Sequence, residues 1–334
     1  MGYVALGRRY ENYVSLLKKN ALAVFYAGGG KVRAVTQILD VKKENPDASN
    51  FKDACQCWLD DPYEGELFTN FLDLFGEWPS AAERESVWLF KREMLQRSEL
   101  LTPQGNITVQ KGYWFSAHEQ WKYLEMPYLM VDVNRRVFEN GERARTWYSA
   151  HMINSPGLMA SVNNVTYKND NPNYLSAAGI KQIAFQEINT TNVITPYGCF
   201  PSLLLPGNNR SVGLAWYHNM LRSPRGQGPY GSSEAQLTNG EAISPVITWD
   251  SKITTVWALL GGIQDIVAKY MRLENTTFQP EPLLKRFTSV IDREWSRVFP
   301  NLQGEHIPFS YPQIAVPEKL SPFPSCEIQK RNKI

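Results

Sequence analysis

Apolar residues recur at helical spacing in several parts of the chain. Within residues 66–75, and again within residues 253–273, they return every three or four positions, which builds one apolar face along a helix. Ser80 is followed three residues later by Glu83, the spacing of a capping box, so a helix is predicted to start there. A further helix is predicted within residues 281–298.

The segments between these helices are long and rich in Asn, Gly, Pro and Tyr, notably residues 100–118, 154–178 and 189–211. Long loops in a compact domain are usually functional. Helices joined by such loops favour an all-α toroid or bundle, with short strands inside the loops, over a doubly wound sheet. No internal repeat or linker-like composition divides the 334 residues, so we expect a single domain over residues 1–334.

The composition limits the classes of partner that the protein is expected to bind. The 35 Lys and Arg nearly balance the 33 Asp and Glu, which leaves no electrostatic footprint for nucleic acid, and no apolar stretch predicts a membrane span. Aromatic residues make up 12% of the chain, and many stand beside Gly, Pro, Asn or His. Flat rings stack on sugars while amides and carboxylates bind hydroxyls, so this composition favours a carbohydrate cleft, although large cores also use aromatics.

Sequons indicate a secretory route in a eukaryote. Asn-x-Ser/Thr motifs, each a candidate N-glycan site, begin at Asn106, Asn164, Asn189, Asn209 and Asn275. The first ten residues lack the basic start, apolar stretch and small-residue cleavage site of a signal peptide. We therefore expect a secreted or extracellular glycoprotein whose gene model starts late or whose signal has been removed.

No pattern predicts a cofactor or a metal. Residues 28–31, Gly-Gly-Gly-Lys, lack the spaced glycines and the Ser or Thr of a phosphate loop, and the four histidines have no metal-ligand spacing. Cys55 and Cys57 stand too close together for a zinc knuckle or a thioredoxin motif. We expect buried thiols, or one disulfide to Cys199 or Cys326.

Two carboxylates stand at predicted helix starts. Glu66 ends the acidic stretch 60–66 and lies in the first turn of its helix, while Asp250 precedes the helix within residues 253–273. Local evidence alone favours structural roles, because acids near a helix N-terminus complement its dipole and Asp is a good N-cap.

A third cluster, residues 113–123, combines Tyr and Trp with His, Glu and Gln. This mixture is unusual for a core strand and suits a wall that binds sugar, with an aromatic packing loop as the alternative. The candidate substrate contacts are Trp114, His118, Glu119 and Trp121.

Four segments, in the same order along the chain, resemble the β-1,2-glucanases and their glucoamylase-like relatives. Residues 66–76 resemble that family's helix that starts with the acid of an Asn-Glu-Ala-Met pattern, and residues 138–146 resemble its Phe-Glu-Asn-Ser-Arg-Arg-Ala-Thr stretch. Residues 228–235 are similar to its Tyr-Gly-Phe-x-Asp-Ala turn, and residues 248–250 to its Ile-Asp-Gln-Gly-Pro entry to the last inner helix.

The resemblance implies an (α/α)6 toroid and an endo-acting glycoside hydrolase that cleaves β-1,2-glucan with inversion. Inversion requires a protonated carboxyl at the leaving oxygen and an ionised carboxylate at the attacking water. The resemblance makes Glu66 the general acid and Asp250 the general base. Further candidates for the subsite walls are Arg143, Tyr197, Tyr230 and Glu234.

The chain also departs from the family pattern. Ser-Lys-Ile follows Asp250 where the family has Gln-Gly-Pro, and the toroid ordinarily has several more helices before the position of Glu66. We therefore expect a toroid that lacks some N-terminal helices, from an incomplete gene model, a partner-dependent fragment or an inactive relative. Two alternative functions stay open, a β-1,2-glucan transglycosylase and a non-catalytic secreted protein that binds glycan.

Overall fold

Helices dominate the computed structural model, which describes residues 2–59, 64–112, 120–160, 162–163, 174–175, 179–184, 187–188, 190–223, 225–273 and 281–319. The helices are α1 (Gly2–Lys19), α2 (Ala21–Phe25), α3 (Glu64–Phe75), α4 (Ala81–Met94), α5 (Trp121–Glu125), α6 (Asp132–Trp147), α7 (Phe200–Leu203), α8 (Arg210–Leu221), α9 (Trp249–Leu259), α10 (Gln264–Leu273) and α11 (Leu283–Val298). The prediction of a mainly helical chain is confirmed.

The strands are short and pair two by two. They are β1 (Tyr26–Gly28), β2 (Lys31–Val32), β3 (Thr36–Ile38), β4 (Phe51–Asp53), β5 (Arg97–Thr102), β6 (Gly105–Gln110), β7 (Val162–Asn163), β8 (Tyr174–Leu175), β9 (Val193–Ile194), β10 (Gln227–Gly228), β11 (Gly231–Ser232) and β12 (Gln236–Leu237). Among the described residues the pairs are β1–β2, β3–β4, β5–β6, β7–β8, β9–β12 and β10–β11.

The chain divides into two compact units. The first unit comprises Met1–Arg97, Trp121–Arg135 and Ile263–Asn301. The second unit comprises Ser98–Gln120, Arg136–Gly262 and Leu302–Ile334.

The first unit is built on α3. Leu72 of this helix is fully buried in an apolar cluster with Ala21 and Val32, as its helical periodicity predicted. On the same helix the buried Asp73 accepts hydrogen bonds from Arg84 of α4 at 3.0 Å and from Arg286 of α11 at 2.6 and 2.9 Å. One carboxylate therefore ties three helices together, and its charge is compensated by two guanidinium groups.

The second unit has an apolar core around the β5–β6 hairpin and the end of α6. Its buried members are Leu100, Ile107, Val109, Ala144, Trp147, Tyr148, Met159, Ile180, Ile183 and Ile307. The middle of α6 is polar and nevertheless buried, because its side chains pair inside the unit. Glu142 accepts a hydrogen bond from Ser202 and lies 3.5 Å from Arg145, which donates to the carbonyl of Gly198.

One sequence expectation about regular structure was wrong. The continuous helix expected within residues 253–273 is α9 followed by α10, because Gly261 and Gly262 take the left-handed φ values of +93° and +75° and end α9. The segment 100–118, expected as a long loop that could carry short strands, contains much of the β5–β6 hairpin, in which Ile107, Thr108 and Val109 are all buried. The capping box at Ser80 is confirmed in part, since its hydroxyl accepts from the Glu83 amide at 3.1 Å.

The expected disulfide to Cys199 or Cys326 was also wrong, whereas the alternative of a buried thiol is confirmed at Cys199. Cys55 forms a disulfide with Cys57, its neighbour but one, and Cys199 is a buried free thiol. Cys326 lies outside the described residues. In the part of the chain that the structure describes, no helix has the length and apolar character needed to cross a membrane.

Candidate active site

Glu66 lies in the first turn of α3 and is 1% exposed. Its Oε2 atom is 3.5 Å from the Nζ atom of Lys122, whose side chain is equally buried, on α5. The ammonium also lies 4.3 Å from the ring centre of Trp295. Glu66 and Lys122 therefore form a buried ion pair with an aromatic wall at its cationic end.

A small polar network surrounds the Glu66 carboxylate. Asn70, one helical turn further along α3, donates to the hydroxyl of Tyr128 at 2.5 Å. Burial raises the pKa of Tyr128 well above its ordinary value, and the negative charge of Glu66 together with a hydrogen bond to it raises that pKa further. The Oε1 atom of Glu66 is buried and has no hydrogen-bond partner among the described residues. One oxygen of this carboxylate is thus held by the protein, while the other lacks such a contact.

Asp250 lies in the first turn of α9 and its side chain is exposed. The expectation that Asp250 caps this helix was wrong. The N-cap is Thr248, which has extended backbone angles, and Asp250 is the second helical residue. The Asp250 carboxylate is therefore on a helix N-terminus without serving as its cap.

The N-terminus of α9 is held by Glu234, which is 3% exposed. The Oε1 atom of Glu234 accepts from the hydroxyls of Thr248 at 2.8 Å and Ser251 at 2.7 Å, and Oε2 accepts from the Thr248 amide at 3.3 Å. The Nζ atom of Lys252 lies 3.6 Å from Oε2. Burial lowers the pKa of Lys252 from its ordinary value, although the charges of Glu234 and Asp250 act in the opposite direction.

The other predicted contacts differ widely in exposure. Trp121 opens α5 and is half-buried, whereas Tyr230, between β10 and β11, is 74% exposed. Tyr197 is buried in a short 3-10 helix. The buried Arg143 donates to Asn140 at 3.0 Å and stacks 4.6 Å from the ring centre of Phe309. Three further predicted contacts lie outside the described residues, namely Trp114, His118 and Glu119.

The structure brings predicted residues together within each unit. In the first unit Glu66 pairs with Lys122, the neighbour of the predicted contact Trp121. In the second unit Glu234 binds the residues on either side of Asp250. The described residues contain no group of three or more His, Cys, Asp or Glu side chains able to hold a metal ion.

A comparison with protein families identifies the family of the chain. The family described as endo-beta-1,2-glucanase SGL matches residues 1–327. The chain belongs to this family. Its members are named for cleaving β-1,2-glucan, the linkage that the sequence resemblance pointed to.

Two solved structures of an endo-β-1,2-glucanase from Talaromyces funiculosus match the chain at 42% identity and a TM-score of 0.83. One is a complex with sophorose, and the other is a complex of β-1,2-glucan with a variant in which a glutamate is replaced by glutamine. The match covers 95% of this chain and 63% of the Talaromyces chain, so the chain spans less than two thirds of its relative. No curated protein matches the sequence.

Sequence reasoning missed several residues around both carboxylates. Lys122 lies in the aromatic cluster that was predicted to bind sugar, but nothing local links it to Glu66. Asn70 was detectable, since it lies four positions after Glu66 and so shares a helix face with it. Thr248 and Ser251 occupy the first turn of α9, but nothing local in the sequence links them to Glu234.

Proposed function

We propose that the protein is an endo-β-1,2-glucanase that hydrolyses its substrate with inversion, and that its fold is the (α/α)6 toroid in a single domain over residues 1–334. The observation that carries this proposal is the family match over residues 1–327, which includes both candidate carboxylates. The Talaromyces relative, which binds β-1,2-glucan and sophorose in its solved structures, supports the same linkage.

We propose Glu66 as the general acid. An inverting glycosidase needs a carboxyl that delivers a proton to the leaving oxygen. The buried Oε1 atom of Glu66, which has no hydrogen-bond partner among the described residues, is suited to carry that proton. The protein contacts at Oε2 fix the orientation of the carboxyl group.

We propose Asp250 as the general base. The base must accept a proton from a water molecule, and an exposed carboxylate in the first turn of a helix is accessible to water. With Glu66 as the acid, this gives the two carboxyls that inversion requires.

Apart from Glu234, the other predicted contacts are proposed as walls of the glucan cleft. Among those that the structure describes, Tyr230 presents the most exposed ring and is suited to stack on a sugar face. Trp121, Trp114 and His118 are proposed for the same role, and Glu119 is proposed to accept hydrogen bonds from sugar hydroxyls. Arg143 and Tyr197 are buried. We therefore propose that they pack behind the residues of the cleft wall and offer little surface for contact with sugar.

Secretion is part of the proposal. Asn106 and Asn209 are partly exposed sequon asparagines among the described residues, which favours a glycoprotein. Treatment of the protein, expressed in a eukaryotic host, with an N-glycosidase should lower its mass. An unchanged mass would contradict the glycoprotein assignment.

Incubation with linear β-1,2-glucan, and separately with β-1,3-, β-1,4- and α-1,4-glucans, tests the activity. New reducing ends are expected from β-1,2-glucan alone, with the α-anomer formed first because a β-linkage is cleaved with inversion. Glu66→Gln and Asp250→Asn should each lower kcat by about 10²–10⁴-fold, the range that general acid–base groups contribute, and leave glucan binding intact.

Matched control variants are Glu281→Gln, an exposed glutamate, and Asp265→Asn, an exposed aspartate in the first turn of α10. Both should retain the activity of the unmodified protein. Glucan binding without new reducing ends would instead indicate a glycan-binding protein, and products longer than the substrate would indicate a transglycosylase. Cleavage of an α-glucan alone would refute the linkage.

A further inference from the structure

The first turn of α9 receives its cap from outside the helix. The first amides of a helix lack partners within it, and an N-cap side chain usually binds one of them. Thr248 occupies the N-cap position, but its hydroxyl makes no capping bond. It donates instead to Glu234, which also accepts from the Thr248 amide and from Ser251. A carboxylate from the β11–β12 connection therefore fixes the start of α9.

Most of the acceptor capacity of Glu234 is used inside the protein. An ionised carboxylate offers about four acceptor positions on its two oxygens. Two hydroxyls and the Thr248 amide donate to three of them, and the Lys252 ammonium lies 3.6 Å from Oε2. The side chain is 3% exposed, which leaves little room for a sugar hydroxyl at the remaining position. The contacts thus favour a role inside the protein over a direct substrate contact.

The far end of α9 is fixed as well. Arg210 donates from one guanidinium nitrogen to the carbonyl of Ala258 at 3.1 Å and to that of Leu259. A carboxylate at the N-terminus and a guanidinium at the C-terminus both complement the helix dipole. Because Thr248 and Ser251 are bound to the same Oε1 atom, the backbone of Asp250, which lies between them, has little freedom to move.

We propose that Glu234 is a positioning residue for the reaction: it holds the first turn of α9 so that the exposed Asp250 carboxylate keeps its place relative to the attacking water. This inference rests on the proposed function, in which Asp250 is the general base. Lys252 balances the buried charge of Glu234 within the same turn.

Two substitutions separate the charge of Glu234 from its hydrogen bonds. In Glu234→Gln the amide oxygen can still accept from the Thr248 amide, while the hydroxyls can rotate to accept from the new NH2 group. Glu234→Ala removes every contact. We expect kcat on β-1,2-glucan to fall about tenfold in the first variant and about a hundredfold in the second, with KM within about twofold, because misplacing a reacting group by about 1 Å has effects of this size. Glu241→Gln, an exposed glutamate of the same unit, should retain full activity.

The same substitutions in an Asp250→Asn background give the decisive measurement. If Glu234 acts only through Asp250, Glu234→Ala should not lower the residual kcat of Asp250→Asn any further. Equal losses in both backgrounds would overturn the proposal in favour of general support of the fold. A raised KM with unchanged kcat would overturn it in favour of direct sugar binding. An unmodified protein without glucanase activity would refute the proposed function itself, whatever the variants do.

Discussion

Glu66 of the first unit and Asp250 of the second stand in opposite surroundings. Both lie in the first turn of a helix, yet Glu66 is buried against the ammonium of Lys122, whereas Asp250 is exposed. In the first case the protein contacts the carboxylate itself, since the Lys122 ammonium lies 3.5 Å from it. In the second case the contacts are made to Thr248 and Ser251, which donate hydrogen bonds to Glu234.

Because of this difference, Glu66 and Asp250 should contribute differently to the stability of the protein. A buried charge is tolerated only with a partner, so the surroundings of Glu66 must contribute to folding. An exposed carboxylate needs no such partner, so Asp250 can be replaced without a buried charge being left behind. The proposed acid and base should therefore respond in the same way in activity assays and differently in unfolding experiments.

The largest expected effect is at Lys122. Lys122→Met leaves the Glu66 carboxylate without its buried counter-charge, which should lower the free energy of unfolding by about 3–5 kcal/mol. Urea denaturation followed by tryptophan fluorescence measures this change. Lys285→Met serves as control, because Lys285 pairs with Glu281 at the exposed surface of the same unit and should contribute about 0.5 kcal/mol or less. Equal losses in the two variants would remove the contrast between buried and exposed sites.

An intermediate effect is expected on acidification, because the first unit also depends on Glu85. Burial pushes the pKa of Glu85 upwards, but hydrogen bonds from Arg286 and Arg293 outweigh it and leave that pKa below its ordinary value of 4.5. A depressed pKa in the folded state means that this contribution to stability is complete above pH 4.5 and is lost as the pH falls through the folded-state pKa.

Glu85→Gln tests this pH dependence. The substitution should cost about 1 kcal/mol at pH 7, since the side chain is partly exposed and its ion pairs are screened by solvent. The difference from the unmodified protein should shrink as the pH falls below 4.5. Urea unfolding at pH 7, 5 and 3.5 measures it, and a difference that is constant with pH would show that Glu85 does not contribute through its charge.

The smallest effect is expected at Asp250. Asp250→Asn removes one favourable charge from the N-terminus of α9 and should change the free energy of unfolding by about 0.3 kcal/mol. The urea midpoint should thus stay within error of that of the unmodified protein, even though the proposed glucanase activity should be lost. A marked destabilisation would show that Asp250 has a structural partner and would weaken the contrast with Glu66.

Local patterns in the sequence predicted α3, α4 and α11 but did not predict α1, α6 or α8. The apolar face of α3 follows directly from its spacing, whereas the periodicity of 253–273 continues across Gly261 and Gly262 and so hid the break between α9 and α10. Asp250 has the chemistry of a cap, but Thr248, two positions earlier, has the extended backbone that the N-cap requires.

The surroundings of the candidate site could not be read from local patterns. The contacts of Glu66 with Lys122 and of Glu234 with Thr248 join residues from separate elements. Charge pairs of this kind depend on how the chain folds back on itself, and a residue's neighbours in sequence carry no information about them. The family resemblance supplied the two carboxylates, and the structure added the groups that hold them.

The anchoring of α9 at both ends makes position 250 a convenient place for a spectroscopic label. Cys55 and Cys57 are joined to each other, and Cys199 is buried, with a thiol pKa that burial raises well above its ordinary value. After replacement of Cys326 by serine, Asp250→Cys would offer a single readily accessible thiol. A fluorophore attached there would sit on a fixed helix, so a change in its emission on adding glucan would report the arrival of ligand rather than movement of the chain.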